Sequence, residues 1–164
     1  MGIFPITIIL AAFLCSIVAG FLFAFAIVTM PGIKCLNDSE FIRTFQVMDR
    51  VIQNNQPIFI LVWVGATAAL LAATVLGLGQ LNWDGKLLLA FAALIFLLGV
   101  QLPTLIVNVP LNNRLQALDV DRLDASALKA ARESFEPDWN RWNMIRMAFA
   151  SLASALLMVL LFRL

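Results

Sequence analysis

Long apolar runs alternate with polar stretches along this chain. The runs cover about residues 5–30, 57–78, 87–107 and 144–161. A helix needs roughly 17–25 apolar residues to cross a bilayer, and each run reaches that length. Two of the runs carry small residues at every fourth position: Ala12, Ser16, Gly20 and Ala24 in the first, Gly65, Ala69, Ala73 and Gly77 in the second. Such seams let helix backbones approach closely, so the first two spans are expected to pack seam to seam. No Lys or Arg precedes the first run, and it is too long for a signal-peptide core. Ala24-Phe25-Ala26 resembles a cleavage site, but the run reads as a retained span.

The polar stretches have their own patterns. Between Pro31-Gly32, expected to end the first span, and Pro57, expected in the first turn of the second, a helix is predicted over about 38–54. Asp38 or Ser39 can cap it. Phe41, Phe45, Met48 and Ile52 form its apolar stripe, with Arg43, Asp49 and Arg50 on other faces. It can lie on the membrane interface or fold over the bundle as a lid, and the lid is the preferred reading because the helix joins two spans expected to be neighbours. In the third span Gln101, Thr104 and Asn108 share a face, Pro103 can kink the helix, and Pro110 biases Val109 towards an extended backbone. Residues 115–136 read as a short solvated helix with a Lys129–Glu133 surface pair. Glu136-Pro137-Asp138 is expected to stop it, and Asp138 to cap the last span.

Composition sharpens the class. The chain of 164 residues is 62% hydrophobic and only 13% charged, about half the charge of an ordinary soluble domain. The fold class is therefore all-α: a transmembrane four-helix bundle, residues 1–164 as one domain, with an amphipathic connecting helix between spans one and two. Its first partner is the lipid bilayer. A net charge of +1 without a basic cluster gives no support for nucleic acid. There is no His, the commonest metal ligand, so no metal or haem is expected. Cys15 and Cys35 lie twenty helical residues, about 30 Å, apart, too far for a disulfide. Lys34, Arg43, Arg50, Arg114, Arg122, Lys129, Arg132 and Arg141 fall in or beside the connections 31–56 and 109–138, against Lys86 and Arg163 at the other side. The positive-inside rule then places both connections in the cytoplasm and both termini outside a cell inner or plasma membrane. Homo-oligomerisation stays open.

Candidate chemistry gathers at one end. On the last helix Trp139, Asn143 and Arg146 fall on one face, with Trp142 one turn before Arg146. An unpaired guanidinium at membrane depth costs about 2.5–3.5 kcal/mol on insertion scales, so Arg146 should face inward and meet Asn108, Asn112 or Asp49. Gln101 and Arg114 from span three, and Arg43 and Arg50 from the connecting helix, can reach the same end. The asparagines can equally close a broken backbone, and the tryptophans can anchor the interface.

The motifs Asn108-x-Pro110-Leu111-Asn112 and Trp139-x-x-Trp142-Asn143-x-x-Arg146, set in four short spans, resemble the anthrone-oxygenase-like family of small membrane proteins. The stretch from Met48 to Phe59, with Asn54 or Asn55 before Pro57, resembles it too. The resemblance implies oxidation of an anthrone- or quinol-like aromatic by dioxygen without metal or flavin. It implies Arg146 and Asn143 as donors to an enolate oxygen and Trp139 or Trp142 as a stacking surface. Asn108 and Asn112, with Gln101, would contact the substrate. Many relatives carry His after the motif asparagine, where this chain has Met144, so either Asp49 or the substrate's own phenolate is left to act as the base, or this member does something else. The competing expectation is a non-catalytic binding, transport or assembly subunit whose polar cluster holds a lipid headgroup or a partner.

Overall fold

The computed structural model describes residues 2–164. It is an all-α bundle with four helices long and apolar enough to span a membrane. In chain order the helices are α1 (Ile3–Ile33), α2 (Asp38–Gln53), α3 (Pro57–Gly77), α4 (Trp83–Gln116) and α5 (Ala125–Phe162). A single 3₁₀ turn, Val120–Arg122, sits between α4 and α5.

Prolines interrupt these helices less than their local chemistry suggests. α1 runs through Pro31-Gly32 to Ile33, three residues after a π-helical turn at Phe25–Thr29 begins to give way. α4 passes both Pro103 and Pro110, and Val109 is helical (φ −63°, ψ −47°), not extended. Two π-helical turns, Leu97–Gln101 and Thr104–Asn108, flank Pro103, and the second leads directly to Pro110. A wider turn gives a proline ring room against the preceding carbonyls, so the helix bends without breaking. α5 is continuous through Pro137. There is no separate helix ending at Glu136, and Asp138 caps nothing. Pro137 and Glu133, whose carbonyl loses its helical donor, are both exposed, so water can satisfy that oxygen. Asp124 is the true cap. Its carboxylate accepts from the Ala127 N–H (2.8 Å) and the Ser126 hydroxyl (2.7 Å), which hold its carboxyl below the usual carboxylate range.

α2 is capped by Asn37 and not by Asp38 or Ser39. Asn37 Oδ1 accepts from Glu40 N, and the Glu40 carboxylate accepts from Asn37 N, a reciprocal capping box. Its buried face is Phe41, Ile42, Phe45, Gln46 and Asp49. That face is rotated from the expected stripe and brings Asp49 inside, while Arg43 and Arg50 stay out. α2 lies across one end of the bundle against α4 and α5. Arg132 of α5 fastens it there. Its guanidinium donates to the carbonyls of Lys34 and Leu36 and to Asp38 and Glu136, and lies 4.4 Å from the Phe41 ring centre.

The seam expectation is half right. α1 packs on α3 and α5. The small face of α3 turns inward: Ala69, Ala73 and Gly77 are buried, and a Cβ on Gly77 would lie 2.8 Å from Leu89 Cδ2 and 3.2 Å from Phe4 Cε2. α1 answers with Phe4, Ile8, Ala11, Ala12, Cys15, Val18, Ala19 and Leu22, a face that keeps Ala12 of the expected seam and leaves its later members behind. Gly20 and Ala24 point outward, and nothing lies within 4 Å of a Cβ on Gly20. Gly65→Leu is therefore expected to destabilise the fold by about 1–3 kcal/mol, since its first carbon already meets Leu14 Cδ1 at 3.2 Å. Gly20→Leu is expected to leave the melting temperature in detergent unchanged. Equal melting of both variants would remove the packing assignment.

Candidate functional site

Two apolar cores stack along the bundle. The larger joins α1, α3, α4 and α5 along the span. The smaller joins Met30, Phe41, Phe45, Phe135 and Trp139 with the 111–128 region beneath α2. A cavity of about 270 Å³ lies where they meet, just under the range of about 300–1,000 Å³ usual for small-molecule sites. Its walls are mainly aromatic: Phe21 and Phe25 of α1, Phe45 of α2, Phe59 and Trp63 of α3, and Trp139 of α5. Phe59 stacks on Trp63 with ring centres 5.3 Å apart, and Phe25 and Phe45 lean on Trp139 at 5.7 and 5.4 Å.

The polar lining is sparse. Arg146 is 4% exposed and faces the bundle interior. One terminal nitrogen donates to Thr104 Oγ1 (3.0 Å) and the other to Asn143 Oδ1 (3.1 Å). Thr104 passes its own proton to the Val100 carbonyl (2.7 Å), which leaves a lone pair aimed at the arginine. Asn143 is fixed in turn by donating to the Leu22 carbonyl (3.1 Å). The guanidinium carbon sits 5.9 Å from the Trp139 ring centre. Among the described residues no carboxylate is in ion-pair contact with Arg146, and its Nε–H has no partner. The expected contact with Asn108, Asn112 or Asp49 is therefore absent as a hydrogen bond, although all four residues line one cavity. Neutral dipoles from Thr104 and Asn143 hold the cation in their place.

Asn108, 2% exposed, donates to the Trp139 carbonyl at 3.4 Å. That bond orients the amide and leaves Oδ1 buried without a donor. One orphan donor and one orphan acceptor thus belong to two residues of the same cavity lining, each atom itself packed away from the open space. Buried polar atoms are nearly always satisfied, so these two are an unpaired cost that this end of the bundle carries.

Asp49, 5% exposed, anchors a second network. Asn112 donates to Oδ1 (2.8 Å), while Gln53 (2.6 Å) and Gln116 (3.1 Å) donate to Oδ2. Asn112 Oδ1 accepts from the Trp139 indole N–H (2.8 Å), so the carboxylate positions the aromatic wall through one amide. Gln46, unremarked in the sequence, joins α2 to α4 by donating to the carbonyls of Leu115 and Leu118.

Four expected members lie elsewhere. Gln101 accepts from the Trp63 indole (2.9 Å) and donates to Thr67 (2.8 Å), bridging α4 to α3 outside the cavity lining. The π-helical turns rotate it away from Thr104 and Asn108, with which a regular helix would align it. Trp142 is half-buried and lines no part of the cavity; Trp139 alone of that pair does. Arg43 pairs with exposed Asp121, and Arg50 is exposed. The sequence reading missed Thr104 as the arginine's partner, although the shared face with Asn108 pointed to it. It also missed Phe21, Phe25 and Trp63, which carry no signal beyond span hydrophobicity, and it named Phe59 only within the family-like stretch, not as a cavity wall.

A family model described as anthrone oxygenase matches residues 45–156. The chain belongs to this family. No curated protein and no solved structure matches it. The anthrone oxygenase match spans α2 from Phe45 through most of α5, and so includes every polar residue of the cavity: Asp49, Thr104, Asn108, Asn112, Asn143 and Arg146. α1 lies outside it and supplies Phe21 and Phe25 to the wall.

Proposed function

We propose that this protein is a cofactor-independent oxygenase that converts an anthrone- or quinol-like aromatic with dioxygen. The observation that carries the reading is a buried cation in an aromatic-lined cavity, with no carboxylate against it among the described residues: Arg146 is held there by Thr104 and Asn143, and Asn108 shares the lining. A ring ketone offers an oxygen that takes up negative charge beside the guanidinium, and a neighbouring phenol offers a polar edge to the amides of the lining. The family membership supports the same class of chemistry.

An anthrone loses a proton from its central methylene to give an electron-rich enolate. Arg146, held by Thr104 and Asn143, stabilises the developing oxyanion. Asp49 takes the proton; three amides occupy part of its acceptor capacity and one lone-pair site on Oδ1 remains. The enolate passes one electron to dioxygen, and the radical pair combines at the former methylene carbon as a hydroperoxide. Loss of water leaves the second carbonyl. The balance is one substrate CH2 and one O2 giving one C=O and one H2O, with dioxygen as the sole oxidant. Trp139 and the phenylalanines hold the ring system and keep water from the enolate.

The test is oxygen uptake by purified protein with 1,8-dihydroxyanthrone after metal chelation. One O2 consumed per quinone formed, above the uncatalysed rate, is expected. Tight binding without turnover across a panel of anthrones and quinols would favour the second reading, a lipid-phase binding protein. What supports that reading is Asp49, whose three amide donors suit a structural anchor as well as a base.

A further inference from the structure

We infer that the ligand reaches the cavity sideways from the bilayer, through a gap between α3 and the bent second half of α4. Leu105 and Val109 of α4 line the cavity, yet they are 67% and 39% exposed. A residue that belongs to a cavity wall and also to the outer surface marks an opening. The facing rim is Phe59 and Trp63 of α3. Next to these positions along the two helices, Leu61, Leu102 and Ile106 are all exposed and all apolar. On a four-span membrane protein such a surface meets hydrocarbon.

The bend in α4 makes the gap. α3 packs chiefly along residues 83–96 of α4. The last hydrogen-bonded bridge between them is Gln101 to Trp63 and Thr67, directly before Pro103 and the second π-helical turn. Past that bridge α4 leads Thr104, Leu105, Asn108 and Val109 along the cavity. Gln101 thus forms the sill of the opening, which gives it a positioning role outside the cavity itself.

The other approach is latched. Under α2, the amides of Gln53, Asn112 and Gln116 converge on Asp49, and Gln53 also donates to Asn113. A ligand coming from the aqueous end would have to break this network. A ligand coming from the lipid breaks no hydrogen bond. The class selected is therefore an apolar compound dissolved in the membrane, carrying a small polar edge, and not a water-soluble metabolite. Access is separable from the oxidation proposed above, because it is measured without turnover.

The experiment places a thiol deep in the cavity and asks what reaches it. Asn108→Cys is made in a Cys35→Ser background, since Cys15 is buried. The protein is reconstituted in phosphatidylcholine vesicles. It is treated with N-cyclohexylmaleimide, which partitions into hydrocarbon, or with a charged, membrane-impermeant trimethylammonium thiosulfonate present on both faces. Phe25→Cys, on the opposite wall, is the second reporter should the first variant fold poorly. The apolar reagent is expected to label the cavity thiol at least ten times faster than the charged one. Leu105→Trp should slow the apolar reaction at least tenfold, whereas Leu98→Trp, exposed on the same helix but away from the mouth, should not. The inference is overturned by faster labelling with the charged reagent, by indifference to Leu105→Trp, or by no labelling in folded protein that labels fully once unfolded.

Discussion

Arg146→Ala is expected to lower the rate of oxygen uptake by about 10²–10³-fold, the usual loss when one donor to a developing oxyanion is removed. The expectation follows from how this guanidinium is held. It is buried, has no carboxylate in contact, and leans on two neutral oxygens that are themselves fixed. Its field is therefore spent on the cavity and not on a counter-ion. Arg146→Lys should recover only part of the rate: an ammonium keeps the charge but lacks the planar fork that reaches Thr104 and Asn143 together. Both rates are to be compared at matched folding, judged by melting in detergent. An alanine variant that keeps its rate within a few-fold would end the assignment of Arg146 as the oxyanion donor.

The spans were plain from apolar run length alone, because the bilayer sets that length and little else in a small chain imitates it. The face shared by Trp139, Asn143 and Arg146 was legible too, since α5 is regular there and residues seven apart return to one side. Legibility failed where helix geometry changes. Proline rules are local, but Pro103 and Pro110 sit against π-helical turns, and Pro137 faces solvent on a helix already held by Arg132 and Phe135. The same irregular turns moved Gln101 off the face of Asn108. Asp49 was identified as a site residue although its face was not, because the stripe of aromatic positions on α2 hid the buried polar pair Gln46 and Asp49 beside it. The seam on α1 misled for a different reason. Four-residue spacing shows which residues share a face, not whether that face meets a helix or lipid, and on α1 the buried face mixes large and small residues and takes in only Ala12 of that seam.

Gly99→Ala is expected to be the most damaging small substitution in the bundle, costing about 1–3 kcal/mol or more through overpacking. Gly99 lies in the first π-helical turn of α4, pressed against α5. A Cβ there would fall 2.3 Å from Phe149 Cγ and 2.7 Å from Phe149 Cβ. A ring can swing towards lipid, but its Cβ moves only with the backbone of α5. The two helices must then separate, and Arg146 lies one turn from Phe149 on the displaced segment. Gly99→Ala should accordingly lower the melting temperature and the oxygen-uptake rate together, whereas Gly79→Ala, with nothing within 4 Å of its new carbon, should change neither. A stable Gly99→Ala protein with full activity would show that the α4–α5 contact yields freely. The placement of Arg146 would then owe nothing to the closeness of those helices.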